Sequence, residues 1–221
     1  MTGPFEFRCQ ALLFDLDGVL VDSRVVVERT WRLWAERHQL DPVALLQIAH
    51  GRRTRDTLEE AAPELATDAE VAWLDTTEFH DREGLIEVPG AKALLSRLPR
   101  DRWAVVTSCN RDLAAIRLTS AGLPLPDVLV TSEAVARGKP APDGYLLGAK
   151  HLGYDPAVCL VFEDAPAGVA AGRAAGARVL GLTTSHTTKD LLGADATVPD
   201  LSSIRVQADD SGLVVTIAAP T

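Results

Sequence analysis

Residues 11–22 read Ala-Leu-Leu-Phe-Asp-Leu-Asp-Gly-Val-Leu-Val-Asp, and this stretch decides the fold. Its opening run is apolar throughout, which is typical of a strand buried on both faces of a parallel sheet. Asp15 ends that run, and Asp17-Gly18 is a turn dipeptide. The two carboxylates are therefore expected at the carboxyl edge of the sheet, where open α/β folds bind ligands. Such a pair can divide nucleophilic attack and proton transfer between them, although a strand followed by a simple turn explains this stretch alone equally well.

The composition limits the kinds of protein that this chain can be. It has 221 residues, 47% hydrophobic and 24% charged, enough for one large domain or a core with a small insert. The net charge of −9 argues against a nucleic-acid partner, and it means that an anionic substrate must meet local cations or a metal ion. The three cysteines lack metal-ligand spacing, and Cys9 and Cys159 are expected in the core. Since we find neither a signal-peptide pattern nor an apolar run long enough for a membrane span, we expect a cytoplasmic protein with no membrane contact.

Residues 23–83 differ from the rest of the chain, because strand-like runs are missing and apolar residues recur at helical spacing. We predict an all-helical insert at residues 22–87, which divides a core domain made of residues 1–21 and 88–221. Trp31 and Trp34 of the insert could stack on a substrate, but their spacing favours a place in its hydrophobic core. The predicted helices of the insert cover residues 25–39, 42–48, 55–62 and 68–79.

A basic turn at residues 50–56 lies inside this insert and contains Arg53 and Thr54. Thr54 is a plausible N-cap of the helix that follows. Two interpretations of the turn remain open. It is either a solvated basic loop or a loop of the insert that reaches the active site.

Strands and helices alternate after the insert. Predicted helices end at Gly122, Gly153 and Gly176, because glycine commonly follows the last residue of a helix. This alternation predicts an α/β protein with a doubly wound parallel sheet, a Rossmann-like core. The last strand of the alternation is expected at residues 178–182, and residues 203–217 are expected to form a terminal hairpin around residues 210–212. The other strands of this part are predicted at residues 103–106, 128–130 and 158–162.

Polar side chains follow several of these buried strands. They are Asp15, Asp17, Thr107, Ser108, Glu163 and Asp164, with Lys139 in a loop after another strand. Each feature alone is more often structural than catalytic, but parallel strands bring them to one edge of one sheet. Carboxylates gathered there would repel each other without a hard cation, and Mg²⁺ prefers oxygen ligands. With a lysine and a hydroxyl donor beside them, these carboxylates are suited to binding a phosphoryl dianion. The metal and Lys139 would neutralise its charge, so that an anionic nucleophile can approach.

Four ordered stretches resemble the motifs of the haloacid dehalogenase superfamily, in its phosphatase branch. They are residues 14–19, 107–108, 138–140 and 161–168, and the resemblance covers nearly the whole chain. It implies that Asp15 is the nucleophile that forms an aspartyl-phosphate, and that Asp17 is the acid and base. The helical insert matches the small cap that closes over the site and excludes water.

The resemblance also implies which residues bind the phosphoryl group and the metal. The phosphoryl-binding residues would be Thr107, Ser108 and Lys139. The Mg²⁺ ligands would be Asp15, the backbone carbonyl of Asp17, Glu163 and Asp164.

Within the superfamily, the turn at residues 50–54 and the stretches at 109–112 and 139–142 resemble the glycerol-3-phosphate and 2-deoxyglucose-6-phosphate phosphatases. We therefore expect hydrolysis of a small phosphorylated metabolite, a sugar or polyol phosphate, with Arg53 and Thr54 of the cap contacting it. The main alternative is a β-phosphoglucomutase-like mutase. That enzyme typically carries a histidine where Val27 stands and a further cap lysine, and no lysine lies between residues 23 and 83. The sequence indicates neither the physiological substrate nor the oligomeric state.

Overall fold

The computed structural model describes residues 5–209 and 211–217. Its strands are β1 (Phe5–Cys9), β2 (Ala11–Phe14), β3 (Val21–Asp22), β4 (Ile86–Glu87), β5 (Trp103–Val106), β6 (Leu129–Val130), β7 (Cys159–Glu163), β8 (Arg178–Leu182), β9 (Ala196–Val198), β10 (Ile204–Asp209) and β11 (Gly212–Ile217). Its α-helices are α1 (Arg24–His38), α2 (Pro42–Ala49), α3 (Thr54–Ala61), α4 (Asp68–His80), α5 (Ala91–Leu95), α6 (Arg111–Ser120), α7 (Asp143–Leu152) and α8 (Pro166–Ala174).

Among the described residues, six parallel strands form the central sheet, in the order β6-β5-β2-β7-β8-β9. The strand β2 lies near its middle, where Leu13 pairs with Ala104 of β5 on one side and with Val161 of β7 on the other. All four residues of β2 are buried, as expected for a strand with helices over both faces. The α/β class and the doubly wound sheet are therefore confirmed. The sheet continues beyond β8 with the strand β9, although we expected the alternation to end at β8. The strand β9 was not predicted because its three residues are too few for a periodic signal.

Alternate residues of β2 point to two separate cores on opposite faces of the sheet. Phe14 belongs to the same core as Leu118 of α6, whereas Leu13 belongs to the other core together with Ala149 of α7. Cys9 and Cys159 are buried and unpaired, as the sequence predicts for small core residues. The central strands are thus fixed from both sides, which makes their carboxyl ends a rigid platform for a site.

The helices α1 to α4 form the predicted helical insert, which has a hydrophobic core of its own. Trp31 is 4% exposed and Trp34 is fully buried in that core, so the core interpretation of these residues is confirmed. The indole Nε1 of Trp34 donates a hydrogen bond of 2.8 Å to Glu70. The short antiparallel strands β3 and β4 stand at the two ends of the insert. The domain boundaries at residues 22 and 87 stay a prediction.

The N-cap expectation for Thr54 is wrong. Arg53 occupies the N-cap position of α3 without a capping hydrogen bond from its side chain, and Thr54 is the first helical residue. The hydroxyl of Thr54 instead donates a hydrogen bond of 3.2 Å to Asp75 of α4. This partner is 21 residues away, so the contact depends on how the helices of the insert pack.

The terminal hairpin is confirmed, since β10 and β11 pair antiparallel, although Asp210 lies outside the described residues. The strand β1 adds a third strand to this second sheet on the other side of β11. We did not expect β1, although Phe5, Phe7 and Cys9 alternate with the charged Glu6 and Arg8, which is the period of a half-buried strand. No helix in the described part of the chain is both long and apolar enough to cross a membrane.

Candidate active site

The polar residues that follow β2 and β7 meet at one edge of the central sheet. Phe14, the last residue of β2, pairs with Phe162 of β7, so Asp15 emerges beside Glu163 and Asp164. One carboxylate oxygen from each of these three acids lies within 4.8 Å of the other two. All three acids are buried. The structure therefore brings these sequence-predicted residues together in one acidic cluster.

Lys139 reaches this cluster from the loop that precedes α7. Its Nζ lies 2.5 Å from Asp15 Oδ1 and 2.6 Å from Glu163 Oε1. Burial lowers the pKa of Lys139, but the charges of Asp15 and Glu163 outweigh that effect and raise the pKa above its ordinary value. The ammonium group is therefore a permanent positive charge beside the Asp15 carboxylate.

Both carboxylate oxygens of Glu163 already accept hydrogen bonds. Oε1 accepts one of 2.5 Å from the hydroxyl of Tyr145 in addition to its contact with Lys139, and Oε2 accepts one of 3.1 Å from the backbone N–H of Asp164. The helix α8 passes so close that a Cβ at Gly168 would clash with this carboxylate. This arrangement suits a residue that orients Lys139.

Asp164, by contrast, has a carboxylate oxygen with no partner in the described part of the chain. Its Oδ2 accepts a hydrogen bond from Ser185, whereas Oδ1 is buried and has no hydrogen-bond partner within residues 5–209 and 211–217. Gly18, with a φ of +75°, faces this carboxylate, and a Cβ at Gly18 would clash with it. A buried carboxylate oxygen without a partner is costly unless a cation binds it.

The electrostatics of the acidic cluster fit a divalent cation. Burial raises the pKa of Asp15 to about 7, opposed by Lys139 and reinforced by Glu163. Burial and the charge of Glu163 also raise the pKa of Asp164 well above its ordinary value. A nearby divalent charge would favour the ionised form of both acids. The cluster offers only oxygen ligands, and Oδ1 of Asp164 has no partner among the described residues, so this is the kind of donor set that Mg²⁺ prefers.

Thr107 and Ser108 follow β5, the other neighbour of β2. Thr107 is buried, and its Oγ1 accepts a hydrogen bond of 3.1 Å from the backbone N–H of Cys109, which leaves the hydroxyl proton to be donated. The hydroxyl of Ser108 instead donates a hydrogen bond of 2.9 Å to the carbonyl of Gly51 in the cap. Thr107 thus suits the binding of a phosphoryl oxygen, whereas Ser108 connects the core to the cap.

Asp17 lies in the loop after β2, and both of its carboxylate oxygens accept hydrogen bonds. Ser23 Oγ donates to Oδ1 at 2.6 Å, and Arg117 Nη1 donates to Oδ2 at 2.6 Å. Ser23, Arg117 and Tyr145 were not predicted as site residues from the sequence. A signal for Arg117 was available, because its neighbours on α6 include the buried residues Leu113, Ala114 and Leu118.

The basic turn of the cap packs against the core at this same edge. Arg53 Nη1 donates a hydrogen bond of 3.3 Å to the carbonyl of Ala136, and Arg53 Nε lies 2.7 Å from Asp56 Oδ2. A Cβ at Gly51 would approach the Cβ of Ala165 too closely. The position of the turn favours the active-site interpretation over that of a solvated loop.

A cavity of about 640 Å³ lies between the cap and the core, beside their direct contacts. It is large enough for a small organic molecule. The sequence-predicted residues that line it are Asp15, Asp17, Arg53, Thr54, Ser108 and Asp164. Thr107 and Lys139 line a smaller neighbouring cavity, which Arg53 and Ser108 also border.

The fold and the site together define an α/β protein with a buried lysine and three acids at the carboxyl edge of its sheet, beside a helical cap. A family model described as haloacid dehalogenase-like hydrolase matches residues 9–176. The chain belongs to this family, which confirms the resemblance found in the sequence.

Relatives match almost the whole chain. Hexitol phosphatase A of Escherichia coli is 44% identical over 213 residues, which cover 94% of this chain and 99% of that protein. Glycerol-1-phosphate phosphohydrolase 2 of Saccharomyces cerevisiae is 37% identical, with coverage of 93% and 88%. The crystal structure of a hydrolase from Pseudomonas syringae superposes with a TM-score of 0.78 at 28% identity, covering 87% of this chain and 94% of that one.

Proposed function

We propose that this enzyme, a phosphoric monoester hydrolase, removes phosphate from small sugar or polyol phosphates through an aspartyl-phosphate on Asp15, with Mg²⁺ bound. One observation carries the proposal: the Asp15 carboxylate is buried at the end of the central strand, 2.5 Å from Lys139 Nζ and in one acidic cluster with Asp164, whose Oδ1 has no hydrogen-bond partner among the described residues. The names of the relatives, a hexitol phosphatase and a glycerol-1-phosphate phosphohydrolase, support this substrate class. A cytoplasmic location and the absence of a nucleic-acid partner stay predictions from the sequence.

In the first half of the reaction, a carboxylate oxygen of Asp15 attacks phosphorus. The new bond joins this oxygen to phosphorus, and the bond between phosphorus and the ester oxygen breaks. Asp17 gives its proton to the departing oxygen, which leaves as an alcohol. Lys139 and Thr107 offer an ammonium and a hydroxyl donor to the phosphoryl oxygens, whose charge they neutralise.

In the second half, Asp17 takes a proton from water, and that water attacks phosphorus. The bond between phosphorus and Asp15 breaks, so free phosphate leaves and Asp15 is a carboxylate again. The cap limits the access of bulk water, which keeps the charged groups in a site of low polarity.

Asp15, Asp164 and the backbone carbonyl of Asp17 would hold Mg²⁺, whose charge would stabilise the phosphoryl oxygens. We assign Glu163 to orienting Lys139, since both of its oxygens already accept hydrogen bonds. The metal role that the family resemblance implies for Glu163 stays a prediction.

The cavity above Asp15 supports a substrate rich in hydroxyl groups. Asp75 of the cap accepts hydrogen bonds from Thr54 at 3.2 Å and from Asn110 of the core at 2.9 Å, and all three line the cavity. Such carboxylate, amide and hydroxyl groups can exchange these bonds for bonds to a polyol. Arg53 stands in the same wall and remains our candidate for a direct substrate contact.

A screen of phosphomonoesters with Mg²⁺, reading released phosphate, tests this function. We expect release from glucitol 6-phosphate and glycerol 1-phosphate by the wild type and by Asp101→Asn, an exposed control. Asp15→Asn should lose nearly all turnover while it keeps its circular dichroism spectrum. Phosphate release by Asp15→Asn at a substantial fraction of the wild-type rate would contradict the proposal.

The mutase alternative predicts a different product. A β-phosphoglucomutase would convert β-glucose 1-phosphate to glucose 6-phosphate, which a coupled dehydrogenase assay detects. We expect hydrolysis at most, because Val27 offers no group for proton transfer and the cap insert contains no lysine. Accumulation of glucose 6-phosphate would establish the mutase instead.

A further inference from the structure

A buried arginine, Arg117, lies beside the candidate acid Asp17, and the reaction described above gives it no role. Arg117 of α6 is 3% exposed, and its Nη1 donates a hydrogen bond of 2.6 Å to Oδ2 of Asp17. Its Nη2 donates to Oε2 of Glu78, a residue of the cap helix α4. One guanidinium group thus connects the candidate acid of the core with the cap.

Two strong hydrogen bonds hold the Asp17 carboxylate, and Arg117 donates one of them. Ser23 Oγ donates a hydrogen bond of 2.6 Å to Oδ1, and Arg117 donates one to Oδ2. The Cys109 thiol donates a weaker hydrogen bond of 3.1 Å to the same Oδ2. Without the guanidinium, Oδ2 would lose its only charged partner in the described part of the chain. The carboxylate could then rotate about its side-chain bonds, because one oxygen alone does not fix its plane.

Glu78 fixes the guanidinium in turn. Its carboxylate pairs with Arg117, and the described residues provide it with no other cation within salt-bridge distance. Burying a charge is expensive unless it is paired, so Arg117 is held most firmly in this position when both acids pair with it. Arg117, Asp17 and Glu78 all line the cavity between cap and core, where a substrate would enter.

We propose that Arg117 is a positioning residue that holds the Asp17 carboxylate for proton transfer, and that Glu78 makes this positioning depend on a closed cap. When α4 moves away, Glu78 leaves and Arg117 is held from one side only. Asp17 is then aligned with the leaving oxygen chiefly when the cap covers the substrate. This inference deepens the proposed function and rests on it.

The chemistry of the leaving group separates this role from a merely structural one. An alkoxide is a poor leaving group, so an alkyl phosphate needs the proton of Asp17 when its ester bond breaks. A p-nitrophenolate leaves without that proton. The second step needs Asp17 as a base with either substrate, because the same aspartyl-phosphate is hydrolysed.

The experiment compares Arg117→Met, Arg117→Lys and Glu78→Gln with the wild type on glucitol 6-phosphate and p-nitrophenyl phosphate. The control is Arg111→Met, the same substitution at an exposed position of the same helix. Arg117→Met should lower kcat on glucitol 6-phosphate by at least about tenfold, a part of the ~100-fold or more that a general acid contributes, with a smaller change in KM. Rapid mixing with p-nitrophenyl phosphate should show a burst of about one nitrophenolate per enzyme, followed by slow turnover.

The other variants test the connection to the cap. Arg117→Lys keeps one charged contact and should recover part of kcat, and Glu78→Gln should lower kcat in the same direction but less. Since Glu78 acts through Arg117, adding Glu78→Gln to Arg117→Met should cause no further loss. Arg111→Met should match the wild type on both substrates.

Several results would overturn the inference. They are an unchanged or raised kcat in Arg117→Met, an equal loss on both substrates without a burst, or losses from the two sites that multiply. If Arg117→Met does not fold, as its circular dichroism would reveal, Glu78→Gln decides by the same comparison of the two substrates. A wild type that releases phosphate from neither substrate would refute the proposed function itself.

Discussion

Replacing Asp15 by Asn should abolish turnover and at the same time stabilise the metal-free protein at neutral pH. The pKa of Asp15 is about 7 in the folded chain against an ordinary value of 3.8, chiefly because of burial. The folded state therefore binds the proton of the Asp15 carboxyl group more tightly than the unfolded state does. The stability of the wild type consequently falls as the pH rises from 3.8 to about 7. Because each tenfold change in proton affinity is about 1.4 kcal/mol, keeping Asp15 ionised costs about 4 kcal/mol above pH 7.

Asparagine has no proton to lose, and Lys139 lies 2.6 Å from Glu163 in this structure, so we expect it to keep one charged partner in the variant. Urea unfolding with EDTA at pH 5 and pH 8 measures the effect. The free energy of unfolding of Asp15→Asn, relative to wild type, should grow by about 3 kcal/mol between these pH values. Saturating Mg²⁺ should shrink the difference by stabilising the wild type, and Asp101→Asn should show none. A relative stability that stays constant or falls with pH would refute this electrostatic reasoning.

Three further predictions concern the metal, the cap and the support of Lys139. Chelation should abolish phosphate release and added Mg²⁺ should restore it, so full activity after exhaustive chelation would count against the metal site. Arg53→Ala should lower kcat/KM for glucitol 6-phosphate more than for p-nitrophenyl phosphate, which offers no hydroxyl groups, whereas Arg32→Ala on the exposed face of the cap should change neither. Gly168→Ala should lower both kcat and the melting temperature, because its Cβ would displace the Glu163 carboxylate that holds Lys139; wild-type values for both would show that the helix α8 can shift.

The strand ends were predictable because their signals are local. Asp15, Glu163 and Asp164 each follow a short apolar run, and parallel pairing of β2 with β7 brings such positions together whatever the details of packing. Lys139 was predictable only through its motif, since a loop lysine alone carries no information on where its ammonium group lies. The doubly wound sheet followed from the same local alternation of strands and helices.

Contacts between cap and core were not predictable in this way. The partners Arg117 and Glu78 lie 39 residues apart, and Ser108 and Gly51 lie 57 apart, so these contacts depend on how the cap docks. The N-cap expectation for Thr54 failed for a related reason, because its hydroxyl bonds to Asp75 of α4 and this contact depends on how the helices of the insert pack. Local sequence preferences do not encode the packing of an inserted domain.

The formation of an aspartyl-phosphate at Asp15 is the central claim, and a trapping experiment tests it most directly. Asp17→Asn should accumulate this intermediate during turnover of p-nitrophenyl phosphate, because its hydrolysis lacks a base. Reduction of the quenched protein with borohydride converts an acyl phosphate to an alcohol, which peptide mass spectrometry can locate. We predict homoserine at position 15 and at no other aspartate. Reduction at a different residue, or none while nitrophenolate is still released, would contradict the account.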